Sequence, residues 1–297
     1  MTSGQPAPEE RRRLNEWLLT APSLLWLAVL VLVPTAIVFV IAFKPPDIDG
    51  GIGAGWTVAT LRSLARSSYA RIAWRTLYLS FLTTAGCMLL AVPTGYFIAR
   101  VDRAWRQSLL LLVVIPFWTS FLIRIFAWKV LLHPDGPVKA ALAWLGLVPP
   151  NAGLLYNAGA VLLVMIYTSL PFAILPVYAA AEKLDYTLVE AARDLGATPL
   201  GAFFRVFVPG ISRGLVAATL LVFIPSLGSY IIPDLVGSPS SEMLGNVIAQ
   251  RVFVERNLPH ASALAAVLTV AVLAPMLAVL LLRRNGEVGA AQSRGPL

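Results

Sequence analysis

Cysteine and histidine are nearly absent from this sequence. The 297 residues include one cysteine, Cys87, and two histidines, His133 and His260, each beside a proline and far from the other. A single thiol excludes an intramolecular disulfide and a CxxC site. Two distant imidazoles do not form a metal cluster. We therefore expect no disulfide, no metal centre and no cofactor in this chain, and we expect Cys87 to be a small buried hydrophobic residue.

Lysine is also scarce, which excludes one way of using ATP. A Walker A loop needs Gly-Lys followed by Ser or Thr, because these groups hold phosphates and magnesium. The four lysines are followed by Pro, Val, Ala and Leu: Lys44, Lys129, Lys139 and Lys183. Any energy for active work must therefore come from another subunit or from an ion gradient.

Charged residues make up only 13% of the chain, whereas hydrophobic residues make up 58%. A soluble domain of this size is less apolar. The net charge of +8 could indicate a nucleic-acid partner, but the arginines are scattered beside apolar segments instead of forming one basic stripe. We predict an all-α polytopic membrane protein in a lipid bilayer, with no nucleic-acid partner.

Six apolar segments are long enough to cross a bilayer. The first follows a basic cluster, but it is too long for a signal peptide and lacks a cleavage site. Basic residues next to the helix ends favour cytoplasmic termini. The predicted spans are 17–43, 76–99, 109–132, 154–181, 211–232 and 260–282. They form one membrane domain over 17–284 between cytoplasmic tails at 1–16 and 285–297, with short helices predicted in 57–75 and 138–145.

The segment 182–211 has charge and turn signals inside an otherwise apolar half of the chain. Its first predicted helix has an apolar stripe at helical spacing: Leu188, Ala191, Ala192 and Leu195. Charged residues lie on the other side: Glu190, Arg193 and Asp194. Gly196 suits the positive φ at which many helices end.

A second short helix is predicted directly after Gly196. Thr198 can cap its N-terminus and Pro199 suits its first turn. The apolar stripe continues in this helix until Pro209 and Gly210 end it: Leu200, Phe203, Phe204 and Phe207. By composition alone, both helices could simply lie on a membrane surface.

The spacing in this segment resembles the EAA loop of ABC importer permeases. That pattern is EAA, three residues, G, nine residues, I, one residue, LP, and the corresponding residues here are Glu190, Ala191, Ala192, Gly196, Val206, Val208 and Pro209. The resemblance implies a cytoplasmic coupling helix that docks into a cleft of an ATPase subunit. Small side chains would allow close approach, and Glu190, with Asp194 nearby, would offer negative charge to a basic partner.

Other motifs resemble the permeases of spermidine/putrescine importers, from about residue 76 to the last span. They are IPFW, LIR and AW within 115–128, SLPF at 169–172, EKLD at 182–185 and LGNVI at 244–248. The resemblance implies the type I ABC importer fold in a bacterial inner membrane, with two ATPase chains that bind ATP and magnesium, a second similar permease and an external solute-binding protein. Permeases for iron, opines and aminoethylphosphonate share these motifs and remain alternatives.

Several residues are candidates for the substrate pathway. A polyamine needs carboxylates and aromatic faces, for which Asp234, Tyr230, Trp118 and Phe117 are the candidates. An exposed loop acid and ordinary aromatic packing are the alternatives. Proline and glycine at membrane depth indicate cavity walls or simple kinks: Pro116, Pro171, Pro176, Pro225 and Gly228.

Arg124 lies about two-thirds of the way along the third predicted span. A guanidinium facing a polyamine would repel it, so we expect a structural role, such as an ion pair with Asp234. Substrate contact is the alternative, and a permease for an anionic solute would make better use of an inward Arg124.

The mechanism implied by the resemblance is alternating access, in which ATP-driven movement of the coupling loop rocks the fourth and fifth spans. A gradient-driven secondary transporter would need no ATPase and would usually show an acid buried within a span or an inverted repeat, and the sequence shows neither. A membrane scaffold would not explain kinked spans around a docking loop.

Overall fold

The computed structural model describes residues 8–47, 50–65, 67–149 and 151–274. Within these residues the chain is helical, with one isolated β-bridge between Pro46 and Ile52, so the predicted all-α class is confirmed. The helices in chain order are α1 (Pro8–Ala42), α2 (Ala59–Ser63), α3 (Ser67–Arg100), α4 (Arg103–Val114), α5 (Phe121–Leu131), α6 (Pro137–Trp144), α7 (Ala158–Glu182), α8 (Thr187–Asp194), α9 (Pro199–Gly210), α10 (Ser212–Leu227), α11 (Ile231–Val236), α12 (Leu244–Phe253) and α13 (Leu258–Ala274).

Three described helices are long and apolar enough to cross a bilayer, and the number reaches five if each of two bent pairs is one span. The single helices are Thr20–Ala42 within α1, Ser68–Arg100 within α3, and α7. The sixth predicted span begins as the apolar α13, but its end at 275–282 lies outside the described residues, as do 1–7 and 285–297. The short helices predicted in 57–75 and 138–145 are present as α2 and α6.

The third predicted span is not one straight helix. After α4 the chain forms a 3-10 turn at Ile115–Trp118, and α5 then departs at 91°. Pro116 has no N–H for the helical ladder, and Thr119 is extended, with ψ of 149°. The Thr119 hydroxyl donates to the Pro116 carbonyl at 2.7 Å and fixes the corner.

The fifth predicted span is also interrupted. Its helix α10 ends at Leu227, and the short α11 begins at Ile231 after a break at Gly228–Tyr230. At its other end, α10 meets α9 at 72°. Pro225 lies in the last turn of α10. It has no N–H to donate to the carbonyl four residues earlier, and its ring crowds that carbonyl, which favours the end of the helix here.

Two compact units make up the chain, one of residues 1–65 with 250–297 and the other of residues 66–249. In the described part of the first unit, Ala42 packs with Ala263 and Ala266 of α13 in a small core. The Gly51 N–H donates to the Arg256 carbonyl at 2.9 Å, which ties the loop after α1 to the loop before α13.

The second unit is built around α3, α7 and α10, which share one buried cluster that includes Ala91, Val177 and Ala218. Glycines bring these helices close together. A Cβ atom added at Gly95 would lie 2.7 Å from Val177 Cγ1, and one added at Gly214 would lie 2.4 Å from Ala180 Cβ. Membrane helices pack in this way because small residues allow backbones to approach.

The loop after α11 is anchored to α3. The Leu244 N–H donates to Thr76 Oγ1 at 2.9 Å, and Arg75 Nη1 donates to the Pro239 carbonyl at 3.1 Å. Gly237 leaves no room for a side chain, because its Cβ would lie 2.4 Å from the Pro233 carbonyl oxygen. These contacts hold α11 in place over one end of the unit.

We predict that Gly214→Val destabilises the protein. The new side chain would also meet the Pro176 carbonyl oxygen, 2.8 Å from the Cβ position, and overpacking of this kind costs about 1–3 kcal/mol. The midpoint of thermal unfolding in detergent should fall clearly. The control Gly153→Val should leave it unchanged, since the nearest atom to a Cβ at Gly153 is 3.8 Å away. Equal midpoints for both variants would contradict the close-packing argument.

Candidate functional site

The first half of the predicted coupling loop is the helix α8, which is defined at both ends. Asp185 accepts hydrogen bonds from the Thr187 N–H at 3.0 Å and the Thr187 hydroxyl at 2.8 Å, and these bonds lower the pKa of Asp185. At the other end Gly196 has φ of +91°. The Gly196 and Ala197 N–H groups donate to the Arg193 and Ala192 carbonyls at 2.9 and 3.0 Å. This is a Schellman motif, as glycine at this position predicts.

The second half is α9, whose start also follows the prediction. Thr198 Oγ1 accepts from the Gly201 N–H at 3.1 Å, and Pro199 occupies the first turn. A π-helical turn at Phe203–Phe207 is the unexpected feature, and the helix then ends at Gly210. π-turns insert one extra residue into a helix and often occur at functional sites.

The two helices bury one face and leave the other open. The inward residues are Val189, Ala202 and Phe207. The outward residues include much of the predicted apolar stripe: Leu188, Leu195, Leu200 and Phe204. Leu195 is 89% exposed. Of the predicted docking residues, Glu190, Ala191, Asp194 and Gly196 are exposed, and Ala192 is half-buried. The predicted stripe is therefore divided between two faces, since Phe207 is buried. We call its exposed part the outward apolar stripe: Leu188, Leu195, Leu200 and Phe204.

An aromatic cluster attaches this loop to the end of α3. The ring centroid of Tyr96 lies 4.7 Å from that of Phe207, 5.3 Å from Phe203 and 6.2 Å from Tyr186. The Arg100 guanidinium lies over the rings of Tyr96 and Tyr186, at 5.4 and 5.7 Å. Burial raises the pKa of Tyr186. The loop is thus fixed to α3 as well as to its chain neighbours α7 and α10.

A cavity of about 340 Å³ opens within the second unit, between the corner of α4 and α5, the middle of α7 and the break after α10. Its wall is largely aromatic and aliphatic, with hydroxyl groups from Thr168, Ser169, Ser226 and Ser229. Arg124 supplies its one charge, and none of its lining residues is an Asp or a Glu. The Arg124 guanidinium lies 4.9 Å from the ring centroid of Phe117 and 5.9 Å from that of Phe121.

The structure brings some of the predicted pathway residues together and separates others. Four line the cavity with Arg124: Phe117, Tyr230, Pro225 and Gly228. Asp234 is exposed on α11, Trp118 is exposed, and Pro171 is buried inside α7, all outside this wall. The expected ion pair between Arg124 and Asp234 is not formed among the described residues, because α11 directs Asp234 away from the cavity that Arg124 enters. The pathway role of Asp234 and Trp118 stays a prediction.

Sequence reasoning missed an ion pair at the start of the coupling loop. Arg106 Nη1 donates to Glu182 Oε1 at 2.9 Å. Nothing in the sequence pairs these two residues, because they lie 76 positions apart. Phe172 and Ser169 also line the cavity. Both belong to the SLPF motif, so the sequence marked them as part of the family resemblance but not as cavity residues.

The sequence profile of the family described as "Binding-protein-dependent transport system inner membrane component" matches residues 91–286. The chain belongs to this family. It is an inner-membrane component of a binding-protein-dependent transport system, and the predicted permease assignment is confirmed.

Curated relatives align along most of the chain. The spermidine/putrescine transport system permease protein PotB of Haemophilus influenzae is 37% identical over 245 residues, which cover 82% of this chain and 86% of the relative. PotB of Escherichia coli is 33% identical over 245 residues, covering 82% and 89%. The inner membrane ABC transporter permease protein YdcU of Escherichia coli is 34% identical over 219 residues, covering 70% of each chain.

Solved structures confirm the fold. A chain of a bacterial ABC transporter involved in the import of the acidic polysaccharide alginate superposes with a TM-score of 0.66 at 21% identity, covering 94% of this chain and 99% of that one. A second structure of a bacterial alginate ABC transporter, in complex with a periplasmic protein, gives 0.67 at 18% identity, covering 91% and 93%. At these identities the likeness shows the fold alone, which this chain shares with chains of bacterial ABC transporters.

We predict that Thr198→Ala loosens α9. The variant loses the bond from the Gly201 N–H, and loss of an N-cap costs about 1 kcal/mol, which corresponds to a roughly fivefold rise in local opening. Hydrogen–deuterium exchange at residues 199–207 should accelerate by about that factor. Thr198→Ser keeps the hydroxyl and should exchange like the wild type. Unchanged exchange in the alanine variant would show that the cap does not hold this helix.

Proposed function

We propose that this chain is the transmembrane permease subunit of an ATP-driven ABC importer for polyamines such as spermidine and putrescine. The observation that carries the proposal is the 37% identity to a spermidine/putrescine permease over 82% of the chain. Both molecules are flexible chains of ammonium groups. An external binding protein would deliver them, as the family description implies.

The proposed energy source is a pair of separate ATPase subunits that grip the coupling loop. In support, α8 and α9 expose the outward apolar stripe, and α8 also exposes the carboxylates of Glu190 and Asp194. A patch of this kind, apolar with a charged rim, marks protein interaction sites. ATP and magnesium would be bound by those subunits. This places the coupling loop, and both termini, on the cytoplasmic side.

The cavity supports a cationic solute through its aromatic faces. Phe117, Phe172 and Tyr230 line it, and an ammonium group gains about 0.5–2 kcal/mol over such a ring. Among the described residues of this chain, those that line the cavity include no carboxylate, although a polyamine in a membrane cavity requires countercharge. We therefore assign the acidic wall to the second, homologous permease subunit, which would close the cavity from the other side.

Transport would follow alternating access. Closure of the ATPase pair moves the two coupling loops, and the body formed by α3, α7 and α10 moves with the attached loop. The break after α10 and the corner before α5, which both reach the cavity, open it to one side. Hydrolysis then restores the starting arrangement.

A second candidate substrate class follows from Arg124. A guanidinium in a cavity without carboxylates is suited to an anionic group, such as the carboxylate of an opine or the phosphonate of aminoethylphosphonate. In this reading the aromatic faces would bind the remaining amine or apolar part of the solute.

We predict that Leu195→Asp abolishes ATPase attachment, because it places a charge in the centre of the outward apolar stripe. Co-purification of the ATPase should fall at least about tenfold, as expected for the loss of a central contact worth more than about 1.4 kcal/mol. Glu190→Arg and Gly196→Trp should act in the same direction. Leu147→Asp is the matched control, since Leu147 is also exposed, at 69%, but follows α6. If the ATPase co-purifies and uptake continues with Leu195→Asp, the docking assignment is wrong.

Replacement of Arg124 distinguishes the two substrate classes. For a polyamine, Arg124→Gln removes a repulsive charge, so uptake should be retained or raised, more for spermidine than for putrescine. For an anionic solute the same change should reduce uptake at least about tenfold, because a charge-assisted bond is lost. Vesicles containing the whole complex would be tested with labelled polyamines, an opine and aminoethylphosphonate. Loss of polyamine uptake in the variant would contradict the polyamine proposal.

A further inference from the structure

Arg106 joins three elements of the second unit through one side chain. It lies in the first turn of α4. Its Nη1 donates to Glu182 Oε1 at 2.9 Å, and its Nη2 donates to the carbonyls of Ala99 at 2.9 Å and Val101 at 3.4 Å. Glu182 is the last residue of α7, and Ala99 lies in the last turn of α3. One guanidinium therefore connects the ends of α3 and α7 to the start of α4.

The position of Glu182 is unfavourable for its own helix. The C-terminus of a helix carries partial negative charge, so a carboxylate in its last turn is destabilising. The Ala99 carbonyl is likewise among the last four of its helix, which have no partner within it. Arg106 offsets both negative ends. Helix stability does not explain an acid at this position, whereas pairing with Arg106 does.

The Arg106–Glu182 pair also lies between the coupling loop and the part of the cavity wall that α4 and α5 form. Glu182 is the residue at which α7 leads into the coupling loop. Arg106 begins the segment of α4 and α5 that supplies Phe117, Phe121 and Arg124 to the cavity wall. The coupling loop is also attached to α3 through the aromatic contacts of Tyr96, and to α7 and α10 through the chain itself. Leu109, Leu110 and Val113 of α4 pack against the buried cluster of α3, α7 and α10, and Arg106 adds a polar contact between α4 and the end of α7.

We infer that the Arg106–Glu182 pair is the junction through which movement of the coupling loop reaches the cavity wall formed by α4 and α5. Arg106 is a positioning residue: it does not touch solute, and it makes α4 follow the end of α7. The inference rests on the proposed ATP-driven import. The pair is accessible enough to break and re-form, since the side chains of Arg106 and Glu182 are 25% and 46% exposed.

The Arg106–Glu182 pair lies in a small recess. Arg103, Gln107, Leu110 and Tyr178 line the same small recess with Arg106 and Glu182. Arg103 is exposed, one turn before Arg106 on the same helix. It has the same charge and lines the same recess, but the ion pair to Glu182 is formed by Arg106. Arg103 is therefore a matched control.

The test is the number of solute molecules imported per ATP hydrolysed. The complete complex, with its ATPase subunits and binding protein, would be reconstituted in liposomes and supplied with labelled spermidine and ATP. Glu182→Gln keeps the size of the side chain and removes its charge. We expect ATP hydrolysis to continue while import per ATP falls roughly fivefold or more, the lower limit of a typical coupling between sites.

Further variants separate coupling from folding. Arg106→Gln should produce the same loss, and the double variant should be no worse than either single variant, because both remove one interaction. Glu182→Asp keeps the charge, so its import per ATP should be higher than that of Glu182→Gln. Arg103→Gln should import as much solute per ATP as the wild type. All values would be normalised to assembled complex, so that a loss of assembly alone does not change the ratio.

Three results would overturn either the inference or the proposed function. The inference alone is overturned if the Glu182→Gln and Arg106→Gln variants import as much solute per ATP as an active wild-type complex does. Losses that multiply in the double variant also overturn it, because the two residues would then act separately. A wild-type complex that neither hydrolyses ATP nor imports solute overturns the proposed function, and the junction with it.

Discussion

Close contact between α3, α7 and α10 is the constraint on which the second unit depends. In a bilayer, apolar side chains gain little by leaving lipid, so helices associate through shape and van der Waals contact. Three glycines allow the close approach of these helices, because a Cβ atom at each would lie less than 3.0 Å from an atom of a neighbouring helix: Gly86, Gly95 and Gly214. The cavity and the coupling loop are both supported by this bundle. A movement imposed on one helix is therefore imposed on all three.

The segment of α4 and α5 joins this bundle through both apolar and polar contacts. It packs against the bundle through Leu109, Leu110 and Val113 of α4 and through the buried Ile125 of α5. Its start is fixed by hydrogen bonds and an ion pair of Arg106, and its corner by Pro116 and Thr119. Polar contacts of this kind are directional and can exchange partners, whereas packed glycine surfaces change little. The second unit thus combines a closely packed bundle with a segment that apolar packing and a few directional polar contacts join to it.

Local signals in the sequence predicted local structure well. Gly196 has the positive φ expected of it, and Thr198 caps α9, because helix ends depend on residues close in sequence. The same reasoning found the stripe that includes Leu195 but could not tell which way it faces, since periodicity identifies a face without its neighbour. The 91° corner and the Arg106–Glu182 pair were missed for a related reason. Both depend on contacts or bends that tertiary packing decides, and a proline such as Pro116 permits a bend without fixing its angle.

The π-turn at Phe203–Phe207 sets the angular phase of α9. Each residue of an α-helix advances the chain by about 100° around the axis, and a π-turn accommodates one residue more than the α-helical count. Phe203 and Phe207 contact Tyr96, whereas Phe204 is exposed. If the same residues formed a regular α-helix, the side chains after the turn would be rotated by about 100°. The length of this short segment, as much as its chemistry, determines how the outward surface is aligned with the helices behind it.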